Sequence, residues 1–205
     1  MNMPEIIILL FAFAGGYFLA FVLLPFILDF LIEKSRKRGF FNGQWKTHFG
    51  VGCSETNIIE KAAIARVGLG GNSPEETIYW NAFFDSSGQE LNTQFEYEII
   101  INTPIPVDYE NFGFWSITVY GKDKFLMENT LKKYLVRNQE IGENKYPVKI
   151  KLSRHINNST EFALIPLSLK KQKFSLALRC YRPLEKMRSK FLCAQLELPQ
   201  INRIV

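Results

Sequence analysis

Metal-binding and nucleophilic side chains are few in this chain of 205 residues, which has two histidines and three cysteines. His48 and His155 lie far apart, and neither has a Cys, Asp or Glu nearby at the spacing of a metal site. Cys180 falls on the apolar side of an alternating pattern, which favours a buried thiol over a nucleophile. The sequence therefore predicts no metal and no cofactor.

Paired carboxylates are the other arrangement that could do chemistry, because a glycosidase needs one as acid and one as base. Asp108 and Glu110 form one such pair, but Glu96 and Glu98 have the spacing of a solvated strand face. The sequence has no Gly-x-Ser-x-Gly elbow for a serine nucleophile. The glycines that begin at Gly68 follow a helical pattern, so they indicate a helix end and not a phosphate cradle. We predict no catalytic residue.

Tyrosines near the polar side of predicted strands suggest a place where a sugar or small ligand could stack. Packing at the core or the sheet edge is the alternative for the same rings. The candidate ligand groove consists of Tyr120, Glu128, Tyr134 and Arg137.

A long apolar segment dominates the N-terminus. The 23 residues from Ile6 to Leu28 carry no charge, and as a helix they would span about 35 Å, enough to cross a bilayer. A secretory signal peptide would need a basic start and a small-residue cleavage site, and neither is present. Gly15, Gly16 and Pro25 are tolerated better in lipid than in a soluble core. We predict a transmembrane helix within residues 1–33.

Basic residues follow this span and none precedes it. They are Lys34, Arg36, Lys37 and Arg38. The positive-inside rule then favours the cytoplasm for the rest of the chain, although long domains can cross a membrane regardless of flanking charge. An odd number of cysteines without regular spacing also suits a reducing compartment. The sequence predicts a single-pass membrane protein. The flanking charge favours the cytoplasmic side of the membrane for its domain but does not decide it.

Charge is distributed unevenly along the chain. From Lys145 onward there are 13 basic and 3 acidic residues, against 12 and 17 before it. Anionic lipid headgroups are the expected partner, with Lys170, Lys171 and Lys173 as the best contacts. A site for nucleic acid or an anionic glycan is the alternative. No nucleic-acid motif accompanies the charge, so we expect no nucleic acid, and no protein partner is identified.

Apolar periodicity predicts the folded part. A linker over residues 34–53 precedes a helix that Ser54 caps and that the glycines after Val67 end. From Thr77 the apolar residues alternate with a period of two, in segments around residues 77–84, 95–101, 115–120, 146–152 and 174–180. The turn at 85–88 fits a hairpin between the first two segments. Residues 54–205 are therefore predicted to form one mainly β domain, an antiparallel β-sandwich or jelly roll with one short helix.

The stretch Phe114-Trp115-Ser116-Ile117-Thr118-Val119-Tyr120, the segments at 125–129 and 174–181 and the end at 199–205 resemble the family called domain of unknown function 1214. The resemblance begins at roughly residue 45 or residue 62 and extends to residue 205. It implies a β-rich sandwich that occurs behind a companion domain in longer bacterial and viral proteins and elsewhere behind a single membrane helix. It implies no agreed catalytic residues.

These observations predict a non-enzymatic binding or structural module of the bacterial envelope, held in the inner membrane by its N-terminal helix. The alternative is a hydrolase-like enzyme of glycan or lipid metabolism with a pocket in the β-sandwich. Buried carboxylates or histidines that converge in a pocket would favour the enzyme.

Overall fold

The computed structural model describes residues 2–36, 40–48, 51–67, 71–141, 146–156, 161–192 and 195–204. Its helices are α1 (Met3–Phe18), a π-helical turn (Leu19–Leu23), α2 (Leu24–Arg36), α3 (Ile58–Val67), α4 (Asn138–Ile141) and α5 (Glu185–Leu192), with a 3-10 turn at Tyr109–Asn111. Its strands are β1 (Phe40–Asn42), β2 (Trp45–Thr47), β3 (Thr77–Ala82), β4 (Tyr97–Ile101), β5 (Phe114–Gly121), β6 (Leu135–Arg137), β7 (Val148–Ser153), β8 (Ala163–Pro166), β9 (Phe174–Tyr181) and β10 (Gln200–Arg203). The chain divides into two compact units, Met1–Gly39 with Thr56–Leu69 and Phe40–Glu55 with Gly70–Val205.

The first unit is helical. Its N-terminus is closed by a capping box, in which Asn2 Oδ1 accepts from the Glu5 N–H at 3.1 Å and Glu5 Oε2 accepts from the Asn2 N–H at 3.0 Å. From Met3 to Ile32 the helix is long and apolar enough to cross a membrane, and none of its most apolar stretch is buried. The predicted apolar helix is therefore present.

Helix α3 belongs to the same unit and contacts α2. Asn57 caps it, because Asn57 Oδ1 accepts the Glu60 N–H at 2.9 Å. The prediction of Ser54 as the cap is wrong, since the Ser54 hydroxyl bonds to the Glu55 carboxylate instead. Arg66 donates to both oxygens of Asp29, at 2.8 and 2.7 Å, and joins α3 to the end of the apolar segment.

The second unit is built on two sheets. The six-stranded sheet has the order β1-β2-β3-β9-β5-β6, and its neighbouring strands are all antiparallel. The four-stranded sheet has the order β10-β4-β7-β8, in which β7 and β8 run parallel. The prediction of a mainly β domain with an antiparallel sandwich is confirmed. The structure adds α4, α5 and the parallel pair.

The apolar faces of both sheets meet in one core. Alternate residues of each strand point inward, as a half-exposed sheet requires, and Trp80, Trp115 and Ile117 of the larger sheet share a cluster with Tyr97 and Ile150 of the smaller one. All five are fully buried. The period-two pattern thus identified the residues that hold the two sheets together.

Two predictions about connections are corrected. The turn at 85–88 forms only a local bridge between Phe84 and Glu90, and β3 and β4 lie in different sheets, so they are not a hairpin. Residues 40–47, predicted as linker, form the β1–β2 hairpin. Trp45 is fully buried there, and its indole N–H donates to the Pro199 carbonyl at 2.6 Å. Burial of this large ring explains why such short strands join the sheet.

Candidate ligand-binding face

The outer face of the six-stranded sheet carries aromatic and guanidinium side chains instead of the usual mixture of charges. Strand register places Arg179 beside Tyr79 on one side and beside Ser116 on the other, and Ser116 is beside Arg137. The next row toward one end of the strands pairs Phe114 with Tyr181. We call this surface the aromatic–guanidinium face, and it consists of Tyr79, Phe114, Tyr120, Arg137, Arg179 and Tyr181.

Small side chains form the floor of the aromatic–guanidinium face. Ser116, Thr118 and Ala177 also point outward, yet each is buried. The Arg179 side chain contributes to this burial, because its guanidinium donates to the Thr118 hydroxyl at 3.1 Å. The base of the aromatic–guanidinium face therefore consists of small, buried side chains, with rings and guanidinium groups around them.

Arg179 is fixed at the centre of this face. Its guanidinium donates to the Thr118 hydroxyl at 3.1 Å and to the Tyr120 hydroxyl at 2.6 Å, and it lies 5.4 Å from the centre of the Tyr120 ring. Hydroxyl acceptors orient a guanidinium without neutralising it. Arg179 is therefore a positioned cation whose hydrogen-bond acceptors are uncharged hydroxyls.

A stacked pair of rings lies next to it. The rings of Phe114 and Tyr181 are 4.3 Å apart and inclined by 20°, and the Arg137 guanidinium lies 5.8 Å from the Phe114 ring centre. Such cation–π contact holds the guanidinium plane against the ring. Burial raises the pKa of Tyr181 and the charge of Arg179 lowers it, with a net rise. The Tyr181 phenol is thus a neutral hydrogen-bond donor.

Acidic side chains are absent from the outward positions of β3, β5, β6 and β9. The Glu140 carboxylate accepts from the Arg137 backbone N–H at 3.2 Å and pairs with the Lys133 ammonium at 3.1 Å. Within the part of the chain that the structure describes, neither Arg137 nor Arg179 forms an ion pair. The face therefore carries net positive charge.

An open hollow of about 710 Å³ adjoins this face and shares Phe114 and Tyr181 with it. Its carboxylates include Glu75 and Asp108. The Asp108 side chain caps the 3-10 turn by accepting from the Asn111 amide N–H groups, and hydrogen bonding to Ser73 lowers the pKa of the exposed Glu75. The lowered pKa makes Glu75 poorly suited to act as a general acid, and Asp108 is already engaged as a cap.

The structure brings together two of the four residues of the predicted groove. Tyr120 and Arg137 belong to the aromatic–guanidinium face, whereas Glu128 is exposed in the segment between β5 and β6. The Tyr134 carbonyl accepts the N–H of Val119, whose side chain is buried, so Tyr134 occupies an inward register position. Sequence reasoning missed Tyr79, Phe114 and Arg179 as members. The alternation of apolar and polar residues predicts that these side chains point outward, but it does not predict which strands lie next to one another.

The basic groups predicted to meet lipid lie elsewhere. Lys170, Lys171 and Lys173 are exposed in the connection from β8 to β9, and Lys173 forms an ion pair with Glu90. At the N-terminal flank, Lys34 and Arg36 are part of α2, but their side chains lie outside what the structure describes, as do Lys37 and Arg38 altogether.

Ion pairs with residues earlier in the chain offset part of the basic excess of the C-terminal third. Four of its cations contact carboxylates that precede Lys145 in the sequence. The pairs are Lys149–Glu98, Lys151–Glu96, Lys173–Glu90 and Arg203–Asp85. The charge asymmetry of the sequence is thus partly neutralised when the strands pair.

Comparison with known proteins identifies one family, whose function is unknown. The model of the family described as "Protein of unknown function (DUF1214)" matches residues 76–185, more than half of the chain. This match confirms the resemblance seen in the sequence, over a shorter range than expected. Among curated proteins, none matches this sequence.

Two solved structures are similar to the chain. The VPA0106 protein from Vibrio parahaemolyticus is 22% identical with a TM-score of 0.55, over 74% of this chain and 36% of that protein. An uncharacterised protein from Burkholderia cenocepacia is 11% identical with a TM-score of 0.44, over 66% and 32% of the two chains. The chain thus matches about a third of the length of each solved relative. The first similarity indicates a shared fold and no more.

Proposed function

The chain belongs to the DUF1214 family of proteins of unknown function, and from that premise we propose that it is a single-pass membrane protein whose β-sandwich is a non-enzymatic binding module of the bacterial envelope. The aromatic–guanidinium face carries the binding part of this proposal. A positioned guanidinium without an ion-pair partner, beside partly exposed rings, is costly to maintain for packing alone, because Arg179 would be more stable next to a carboxylate. A ligand with negative charge would supply that partner.

The exposed apolar helix Met3–Ile32 supports membrane anchoring. Its side chains include large apolar residues that are more than half exposed, among them Phe11, Phe13, Phe21 and Phe26. Leaving such surface in water is unfavourable by about 25 cal/mol per Å². Insertion in a bilayer removes it from water, while the helix satisfies its own backbone hydrogen bonds.

We expect the full-length protein to fractionate with membranes and to resist extraction by carbonate or high salt, because apolar burial far exceeds any surface electrostatic attraction. The measurement is an immunoblot of the membrane and soluble fractions after each wash. Deletion of residues 1–38 is the matched variant and should move the protein to the soluble fraction. Recovery of the full-length chain in the carbonate supernatant would contradict the anchor.

A weaker contact with anionic lipid is expected from Lys170, Lys171 and Lys173. A chain lacking residues 1–38 should bind vesicles that contain anionic lipid, and it should bind less at high salt, because each basic group near the surface contributes about 1 kcal/mol. Replacing all three lysines with Glu should abolish binding in a vesicle sedimentation assay. The melting temperature should barely change, since the Lys173–Glu90 pair that is lost is more than half exposed on both sides. Equal binding to neutral vesicles would exclude the lipid contact.

An enzyme of glycan or lipid metabolism is the second candidate function. The hollow beside the aromatic–guanidinium face favours it, because it places Glu75, Asp108 and Glu185 around a space large enough for a small ligand. Against it, Asp108 caps a turn, and Glu185 pairs with Arg188. No group of three or more His, Cys, Asp or Glu residues that could hold a metal occurs among the described residues. Turnover of a glycan that is lost in Glu75→Gln would favour the enzyme.

A further inference from the structure

We propose that the aromatic–guanidinium face binds an acidic glycan, with sugar rings seated on its aromatic side chains and sugar carboxylates at Arg137 and Arg179. This inference rests on the proposed binding function and names its ligand class. Three features of the face support it, namely guanidinium groups that form no ion pair within the described chain, partly exposed rings and the phenol of Tyr181.

Two guanidinium groups supply the recognition of negative charge. Arg179 on β9 and Arg137 on β6 occupy the same row on either side of Ser116, so their backbones are about 10 Å apart. Each guanidinium is held against a ring, Arg179 at Tyr120 and Arg137 at Phe114. A planar guanidinium binds a carboxylate through two parallel N–H donors. The row is therefore suited to a ligand that carries carboxylates at intervals.

Rings and hydroxyls supply the recognition of a polar ring. The Phe114–Tyr181 stack and the Tyr120 ring are apolar surfaces at the edge of the aromatic–guanidinium face. Such rings pack against the C–H faces of sugars, while their polar tips bond to hydroxyls. The Tyr181 phenol, which is only partly buried, can donate to a sugar hydroxyl. A purely inorganic anion would leave the rings unused.

The charge distribution favours a glycan over a nucleic acid. Nucleic-acid affinity depends on many contacts between basic side chains and closely spaced phosphates. The face offers two guanidinium groups, and the adjoining hollow carries an excess of carboxylates, with Glu75, Glu76, Asp108 and Glu185 against Arg182 and Arg188. Those carboxylates would repel a dense phosphate backbone at the end of the face. A sparsely charged polymer of sugar rings meets the same surface with less repulsion.

The test uses the full chain in detergent micelles and measures dissociation constants by titration calorimetry. The probe is a galacturonic acid oligosaccharide, and its matched control is the methyl ester of the same oligosaccharide, which keeps the rings and removes the charge. We expect binding to the free acid to be at least about tenfold tighter than to the ester, as for hydrogen bonds to a charged group. Single-stranded DNA and polyphosphate serve as competing polyanions.

Variants then assign the binding to this face. Arg137→Gln changes an exposed residue on an edge strand, and it should weaken binding of the oligosaccharide about tenfold with an unchanged melting temperature. Arg179→Gln should weaken it at least as much, with a melting curve to check folding because Arg179 has two internal hydrogen bonds. Lys170→Gln removes one exposed cation away from the face and should leave affinity unchanged.

Several outcomes would overturn the inference. They are absence of binding to the free acid, equal affinity for the ester, equal losses in Arg137→Gln and Lys170→Gln, and tighter binding of DNA or polyphosphate than of the oligosaccharide. Any of these, in a chain that still fractionates with membranes, removes the glycan and leaves the proposed anchor standing. Glycan binding by a chain that is recovered in the soluble fraction would contradict the proposed anchor and leave the glycan inference standing.

Discussion

Replacing Trp115 with alanine is expected to lower the free energy of unfolding by about 3–5 kcal/mol, the range observed when a large buried ring is removed from a core. Trp115 is fully buried on β5, opposite Cys180 and within the cluster shared by both sheets. Its loss removes apolar contacts and leaves a cavity that the surrounding strands cannot fill. Since a domain of this kind has only about 5–15 kcal/mol of stability in total, the variant should be close to unfolding.

Urea denaturation of a chain lacking residues 1–38 would measure this effect. Trp115→Phe keeps most of the ring and should cost less, which gives a value even when the alanine variant does not fold. The matched control is Phe125→Ala, because the Phe125 ring is 74% exposed and its removal should change stability by no more than about 0.5 kcal/mol. A similar midpoint for Trp115→Ala and Phe125→Ala would show that the Trp115 ring does not contribute to the core.

The strands that could be predicted are those whose alternation is long enough to be visible. β5 and β9 have eight residues each, and their apolar and polar positions alternate because one side is buried and the other is not. β1, β2 and β6 have three residues each, too few for a period to be recognised. Their pairing depends on distant partners, such as the contact of Trp45 with Pro199, and no local pattern contains that information.

The aromatic–guanidinium face could be predicted only in part for the same reason. The sequence showed that Tyr120 and Arg179 lie on the polar sides of their strands, but it did not show that β9 lies between β3 and β5. That order brings Tyr79, Arg179 and Ser116 into one row, although they are up to 100 residues apart in the sequence. The ion pairs between the basic C-terminal third and acidic residues earlier in the chain likewise depend on the fold, whereas composition alone presents that third as an unbroken basic surface.

Asp85→Ala is expected to destabilise the domain by about 3 kcal/mol, because it removes the buried partner of a hydrogen-bonded ion pair. The Asp85 side chain has no exposed surface. Its Oδ1 accepts from the Ser87 and Gln89 N–H groups at 2.9 and 3.0 Å, and its Oδ2 lies 2.9 Å from an Arg203 guanidinium nitrogen. The pair fastens the turn after β3 to β10 in the other sheet, so the variant loosens a connection between the two sheets.

The pH dependence of this effect has a defined sign. Burial alone would raise the pKa of Asp85, but hydrogen bonds from Ser87 and Gln89 together with the charge of Arg203 lower it overall. A carboxyl whose pKa is lowered by folding stabilises the protein fully above its unfolded pKa of about 3.9, and this contribution is lost as the pH falls through the folded value. The original chain should therefore lose stability below about pH 4, whereas Asp85→Asn should lose less.

Glu98→Gln, which alters the partly exposed Lys149–Glu98 pair, should cost less than about 1 kcal/mol. Equal costs for Asp85→Ala and Glu98→Gln at pH 7 would contradict the assignment of Asp85 as the link between the sheets.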